Sequence, residues 1–199
     1  LSVILYQVIS GPMSSVVRVS NQTAAKNQIQ AISSIVIIDA INPDDGGDCD
    51  ADGYVEPSPW KNAGTALAPA GGGLVPDDIG APLTDPWGTN YGYCVWDIGS
   101  LNDPNFDNGC GFGVNRLSGS PDPTSGIAET QTVLAIISAG PDRKFDVNTF
   151  CRDYIDPDTS VVSRGGDDIL LKYTYNEAAT AVASLWKLRA TDTNIAEID

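Results

Sequence analysis

The sequence predicts an α+β fold: a long N-terminal helix, then a small antiparallel sheet with long loops. Three observations carry this expectation. Apolar residues recur at helical spacing through the first forty positions, and several short aromatic or β-branched runs bounded by turn residues follow later. Between them, much of the chain's complement of 20 Gly and 13 Pro lies between residues 42 and 126, as long irregular connections require. The expected division is a helical segment over 1–40 and a globular head over 41–199.

The first element opens on the apolar run Leu1-Ser2-Val3-Ile4-Leu5-Tyr6-Gln7-Val8-Ile9. It has no charged leading region and falls short of the roughly 20 apolar residues that span a bilayer. It reads as the remainder of a longer apolar helix. Gly11-Pro12 follows, and a proline inside a helix loses a hydrogen bond and clashes with the preceding turn, so a kink or melted turn is expected there. From Met13 to about Ala40 the helical period resumes. Met13, Val16 and Val17 form one apolar cluster, and Ala25, Ile29, Ile32 and Val36 continue at spacings of four, three and four. The run Ile35-Val36-Ile37-Ile38 is apolar all round, which predicts burial against a sheet. Its β-branched density also suits a strand, but continuity with the preceding period favours helix. Asn42-Pro43 supplies the stop.

Residues 43–83 read as loop-rich. Strands are expected at Tyr91–Trp96, Gly111–Leu117, Thr132–Ile137 and Ile169–Tyr175. A second helix is expected over Glu177–Arg189, with Ala178, Val182, Leu185 and Trp186 on one face, before an acidic tail. Tyr91 and Tyr93 share a strand face and read as core, as do Trp60, Trp87, Trp96 and Trp186.

Composition removes several function classes. With 26 acidic and 11 basic residues, the formal charge of −15 repels nucleic acid. Histidine is absent, which removes His-based triads and imidazole zinc sites. The chain has no Gly-x-Ser-x-Gly, no P-loop and no complete Gly-x-Gly-x-x-Gly, and no carboxylate pair stands out as an acid/base couple, so a non-enzymatic role is expected. The four cysteines, Cys49, Cys94, Cys110 and Cys151, include no Cys-x-x-Cys pair. Wide spacing in loop-rich sequence fits two disulfides in an oxidising compartment. Three connectivities are possible; proximity in the chain favours Cys94 with Cys110, leaving Cys49 for Cys151.

Two phrases in the second half stand out. Asp85-Pro86-Trp87-Gly88-Thr89-Asn90-Tyr91-Gly92-Tyr93 leads into the first strong strand, and Ser138-Ala139-Gly140-Pro141-Asp142 pairs with a later Gly165-Gly166-Asp167-Asp168-Ile169. In this order, after a long helix, they resemble type IV pilin-like proteins and in particular the major pseudopilin of type II secretion systems. The first phrase is similar to that subunit's Asp-Pro-Trp-Gly-x-x-Tyr element, and the second to its calcium loop, interrupted here by about twenty extra residues. The segment 43–83 and the second helix depart from the small major pseudopilin, which favours a larger pilin-like subunit. The resemblance implies a pilin-like fold and a subunit that polymerises with itself through its N-terminal helix into an extracellular or periplasm-spanning filament. It also implies anchoring in the inner membrane before assembly.

Asp142, Asp167 and Asp168 are the leading metal candidates. Calcium takes about six to eight oxygen ligands in irregular geometry, and two loops flanking strands can bring three carboxylates together with carbonyls near Ser138 and Arg143. The competing reading is a turn and a strand cap without metal. Asp146 is a further acid with no assigned role. A second acidic run, Asp48-x-Asp50-x-Asp52-Gly53, matches the opening half of an EF-hand loop, but Pro59 stands where the twelfth-position Glu is needed. It reads equally as a solvated acidic turn. The alternative to a filament subunit is an extracellular calcium-dependent adhesin or carbohydrate-binding module that uses loops 43–83 and 97–126.

Overall fold

The computed structural model describes residues 2–41, 55, 57–96, 130–151, 162–183 and 185–186, with residues 2–14 and 162 described by their backbone alone. The architecture is α+β. Helix α1 runs from Ser2 to Asp39, and helix α2 from Tyr175 to Ala181. Strands β1 (Gly73–Leu74), β2 (Gly92–Val95), β3 (Thr132–Ser138) and β6 (Ile169–Thr174) form an antiparallel sheet in the order β1-β2-β3-β6. Strands β4 (Phe150–Cys151) and β5 (Val162–Ser163) pair separately.

The helix is continuous through Gly11 and Pro12, so the melted turn expected there is absent. One missing hydrogen bond is a local loss, and the helical turns on both sides carry the backbone through it. From Ala25 onward the period sets the packing. Ala25, Ile29, Ile32, Val36, Ile37 and Ala40 are buried, and the helix packs on β3 and β6. Ser33 is buried on the same face because its hydroxyl donates to the Ile29 carbonyl at 2.9 Å, satisfying itself within the helix. One apolar expectation is corrected. Ile38 is 62% exposed, because a helix resting on one sheet buries one stripe only. Val16 and Val17 are exposed too, since the helix runs past the head at that level.

Every residue of β3 is buried, as expected for an inner strand covered on both faces. Strand β2 separates those faces by its period of two. Tyr91 and Tyr93 point towards α1 and its C-terminal surroundings: the Tyr91 hydroxyl donates to Gln28 Oε1 at 2.7 Å and the Tyr93 hydroxyl to the Ser58 carbonyl at 2.8 Å. Ser58 in turn donates to Asp39 near the end of α1. Gly92 and Cys94 face the opposite layer of loops. A Cβ on Gly92 would lie 2.7 Å from the Pro69 ring and 3.1 Å from Phe145, so the missing side chain is what lets the loops settle on the sheet.

Cys94 is bonded to Cys151 on that loop face, with Cα atoms 6.2 Å apart. This replaces the pairings favoured by proximity in sequence: the closing loop is long, and the partner is brought in by β4. The glycines before β1 make room for it. Gly71 (φ +74) has Cys151 O 2.1 Å from where a Cβ would stand, and Gly72 has both sulfurs at 3.1 Å. Cys49, Cys110 and the expected strand Gly111–Leu117 lie outside the described residues.

Helix α2 begins earlier than periodicity suggests and is interrupted after Ala181, with Leu185 and Trp186 helical again. Thr174 and Glu177 form a reciprocal capping box, a Thr-x-x-Glu signal legible in the sequence. The interruption falls at Val182–Ala183, where Ala183 adopts a left-handed backbone (φ +54). Leu185 therefore leaves the buried face at 42% exposure, while Trp186 stays fully buried. Trp186 donates its Nε1–H to the Ile37 carbonyl at 3.0 Å and meets the Tyr175 ring edge-on at 5.4 Å, closing the core over the end of α1.

Candidate metal centre

The register of the sheet decides what meets at its end. Ser138, the last residue of β3, pairs with Ile169, the first of β6. The chain leaving β3 and the chain entering β6 are therefore neighbours, and residues 139–149 and 164–168 fold against each other. Asp142, Asp167 and Asp168 come together here, as does Asp146. The Asp142 N–H donates to Asp167 Oδ2 at 3.3 Å, and the Asp146 N–H donates to Asp168 Oδ2 at 3.0 Å.

The turns are tight enough to constrain the residues that make them. Gly140 (φ +69) lets the backbone pass Asp167, whose carbonyl oxygen would stand 2.6 Å from a Cβ at that position. Gly165 has Asp146 Oδ1 2.3 Å from its absent Cβ. Arg143 is left-handed (φ +63) without being glycine, a conformation costing about 1 kcal/mol or more that the surrounding turn must hold.

Asp168 is the centre of this arrangement. It is 2% exposed. Its Oδ2 accepts from the Asp146 N–H and from the Thr149 hydroxyl, and Thr149 Oγ1 in turn accepts from the Gly165 N–H at 2.9 Å. Its Oδ1 is buried with no hydrogen-bond partner. Burial pushes the Asp168 carboxyl up from its ordinary value; the bonds from Thr149 and Asp146 oppose that, while the charges of Asp167 and Asp142 add to it. A buried carboxylate oxygen without a donor, within the influence of further carboxylates, is disfavoured unless a proton or a cation arrives. The donor set is all oxygen, which suits a hard cation such as calcium. Asp142 Oδ1 accepts from the Lys144 N–H, and Asp146 Oδ1 from the backbone and side chain of Asn148. Among the described residues, no three acidic side chains stand converged as a ready-made cage. Ligation at this place therefore requires Asp142 and Asp167 to turn towards Asp168. Asp48, Asp50 and Asp52 lie outside the described residues.

The other singled-out phrase is built into the same end of the sheet. Asp85 Oδ1 accepts from the N–H groups of Trp87 (3.0 Å) and Thr89 (2.9 Å), an Asx turn that Gly88 completes at φ +85. Asp85 Oδ2 accepts from the Ser138 hydroxyl at 2.7 Å, and Ser138 Oγ accepts from the Gly140 N–H at 3.2 Å. The Asp-Pro-Trp-Gly turn therefore positions the start of the acidic loop. That link was invisible in the sequence, because the partners lie 53 residues apart. Asp146 was likewise not assignable there; its fit against Gly165 and Gly166 is a tertiary contact.

No helix among the described residues is long and apolar enough to cross a membrane. Comparison with protein-family models, curated proteins and solved structures gives no match to this chain.

Proposed function

We propose that this chain is a structural subunit of a type IV pilus-like or pseudopilus filament, polymerising with copies of itself through α1, and not an enzyme. The observation that carries the reading is the contrast along α1. Residues 25–40 place an apolar stripe on the sheet, whereas residues 15–20 are all exposed, with Val16 at 67%, Val17 at 58% and Val19 at 62%. Three exposed valines on a helix that runs past its own head need a partner surface, and an identical helix is the simplest one. In this reading the acidic head faces solvent, and the Cys94–Cys151 disulfide holds its loop layer in an oxidising extracellular or periplasmic setting. The subunit is anchored in the inner membrane before assembly.

Calcium belongs to the same proposal. Asp142, Asp167 and Asp168 would hold it, with loop carbonyls completing the shell. Its charge would neutralise the acidic turn and give the orphaned Asp168 oxygen a partner.

Deleting residues 1–20, which removes the exposed valines together with the segment before them, tests the filament. The head should keep its thermal transition, since among the described side chains the buried stripe starts at Ala25, while filaments seen by negative-stain electron microscopy should disappear. Long filaments from the shortened chain would overturn the reading.

A further inference from the structure

Beside the acidic turns, where Arg164 leads into them, α1 and β6 border a groove of about 470 Å³. Its walls are mixed: Ile29 from the helix and Leu171 and Tyr173 from the strand give an apolar floor, with Gln30 beside them. Lys26 and Arg164 also line it. Both are exposed, and neither is in an ion pair among the described residues. In a chain with 11 basic residues against 26 acidic ones, two such cations bordering one groove with an apolar floor form a local reversal of the overall charge.

We propose that this groove is a contact between subunits, and that it receives an acidic segment carrying an apolar side chain from a second copy of the chain. The inference rests on the filament reading and specifies where copies touch outside their helices. Charge complementarity favours this occupant. Two copies at −15 each repel, so head-to-head contact is least unfavourable where one copy presents cations and the other its abundant acids. The apolar floor adds the short-range attraction that charges alone do not supply at a solvated surface. The groove also lies on the helix that carries the exposed Val16, Val17 and Val19, so one neighbour can engage both surfaces.

The test combines charge reversal with photocross-linking of the whole chain. Lys26→Glu and Arg164→Glu should each raise the critical concentration for assembly by at least about tenfold, with a weaker effect at high salt. Lys61→Glu, the same charge change on an exposed residue outside both the groove and the acidic loop, should leave it within about twofold. In an equal mixture of 15N-labelled and unlabelled protein, p-benzoylphenylalanine in place of Gln30 should give cross-links of mixed isotope composition to an acidic peptide of this chain. Filaments that assemble normally in both groove variants, or cross-links confined to single copies or to another molecule, would overturn the groove contact and leave the filament reading standing. Wild-type protein that forms neither filaments nor inter-copy cross-links would overturn both.

Discussion

Two buried aspartates stand at the same end of the sheet and are treated in opposite ways. Asp85 is 4% exposed and Asp168 2%. Asp85 has both oxygens satisfied, one by two backbone N–H groups and the other by the Ser138 hydroxyl. Asp168 has two donors on one oxygen and none on the other. The first is a finished turn, complete within the protein. The second is a carboxylate whose surroundings supply extra negative charge instead of a donor, the condition under which a cation becomes part of the fold.

Substitution at the two positions should separate these roles. Asp85→Ala leaves the donors of Trp87, Thr89 and Ser138 unpaired and should cost about 3 kcal/mol or more, equally in calcium and in chelator, by chemical denaturation. A loss confined to calcium would place Asp85 with the metal instead. Next in size is the calcium effect itself. Wild-type head should gain about 2.7 kcal/mol when free calcium is a hundredfold above its dissociation constant. Asp168→Asn should abolish that gain while changing stability in chelator by less than about 1 kcal/mol, because the amide carbonyl still accepts from Thr149 and Asp146. An undiminished calcium response in this variant would move the cation elsewhere.

How much of this comparison was legible in the sequence depends on the range of the interaction. Local signals were readable: the spacing of Ala25, Ile29, Ile32 and Val36 gave the buried stripe, and the alternation of Tyr91 and Tyr93 gave one strand face. The Thr174/Glu177 capping box was equally local and would have corrected the start of α2. Contacts closed by the sheet were not readable. The Cys94–Cys151 bond depends on β4 and on a glycine run that looked like ordinary loop, and the Asp85–Ser138 bond joins two motifs that no sequence spacing connects. The acids Asp142, Asp167 and Asp168 could be nominated from chain chemistry. That Asp168 carries the orphaned oxygen, and that Asp146 packs against Gly165, follows only from the register of β3 and β6.

Smaller effects sharpen the same contrast. Ser138→Ala removes one donor from Asp85 and should cost roughly 1–3 kcal/mol, creating at Asp85 the kind of orphaned oxygen that Asp168 already has. If that cost disappears on adding calcium, the two turns are interchangeable as cation sites and the distinction fails. At the far side of the core, Tyr93 tests burial without a cation. Burial first, and the charge of Asp39 second, hold its hydroxyl well above the ordinary 10.0. A raised folded value means that its contribution is intact below pH 10 and is lost as pH rises beyond it. Wild type should therefore lose stability in that alkaline range, with tyrosinate absorbance appearing together with unfolding. Tyr93→Phe should cost about 1 kcal/mol at neutral pH and flatten the alkaline decline.

The most direct measurement is a cryo-electron microscopy map of the protein assembled in calcium. The account predicts a helical filament with α1 at its core, Val16, Val17 and Val19 packed on neighbouring helices, and density bridging Asp142, Asp167 and Asp168. Monodisperse single copies under those conditions, or a filament built without α1 and with nothing between those carboxylates, would contradict it.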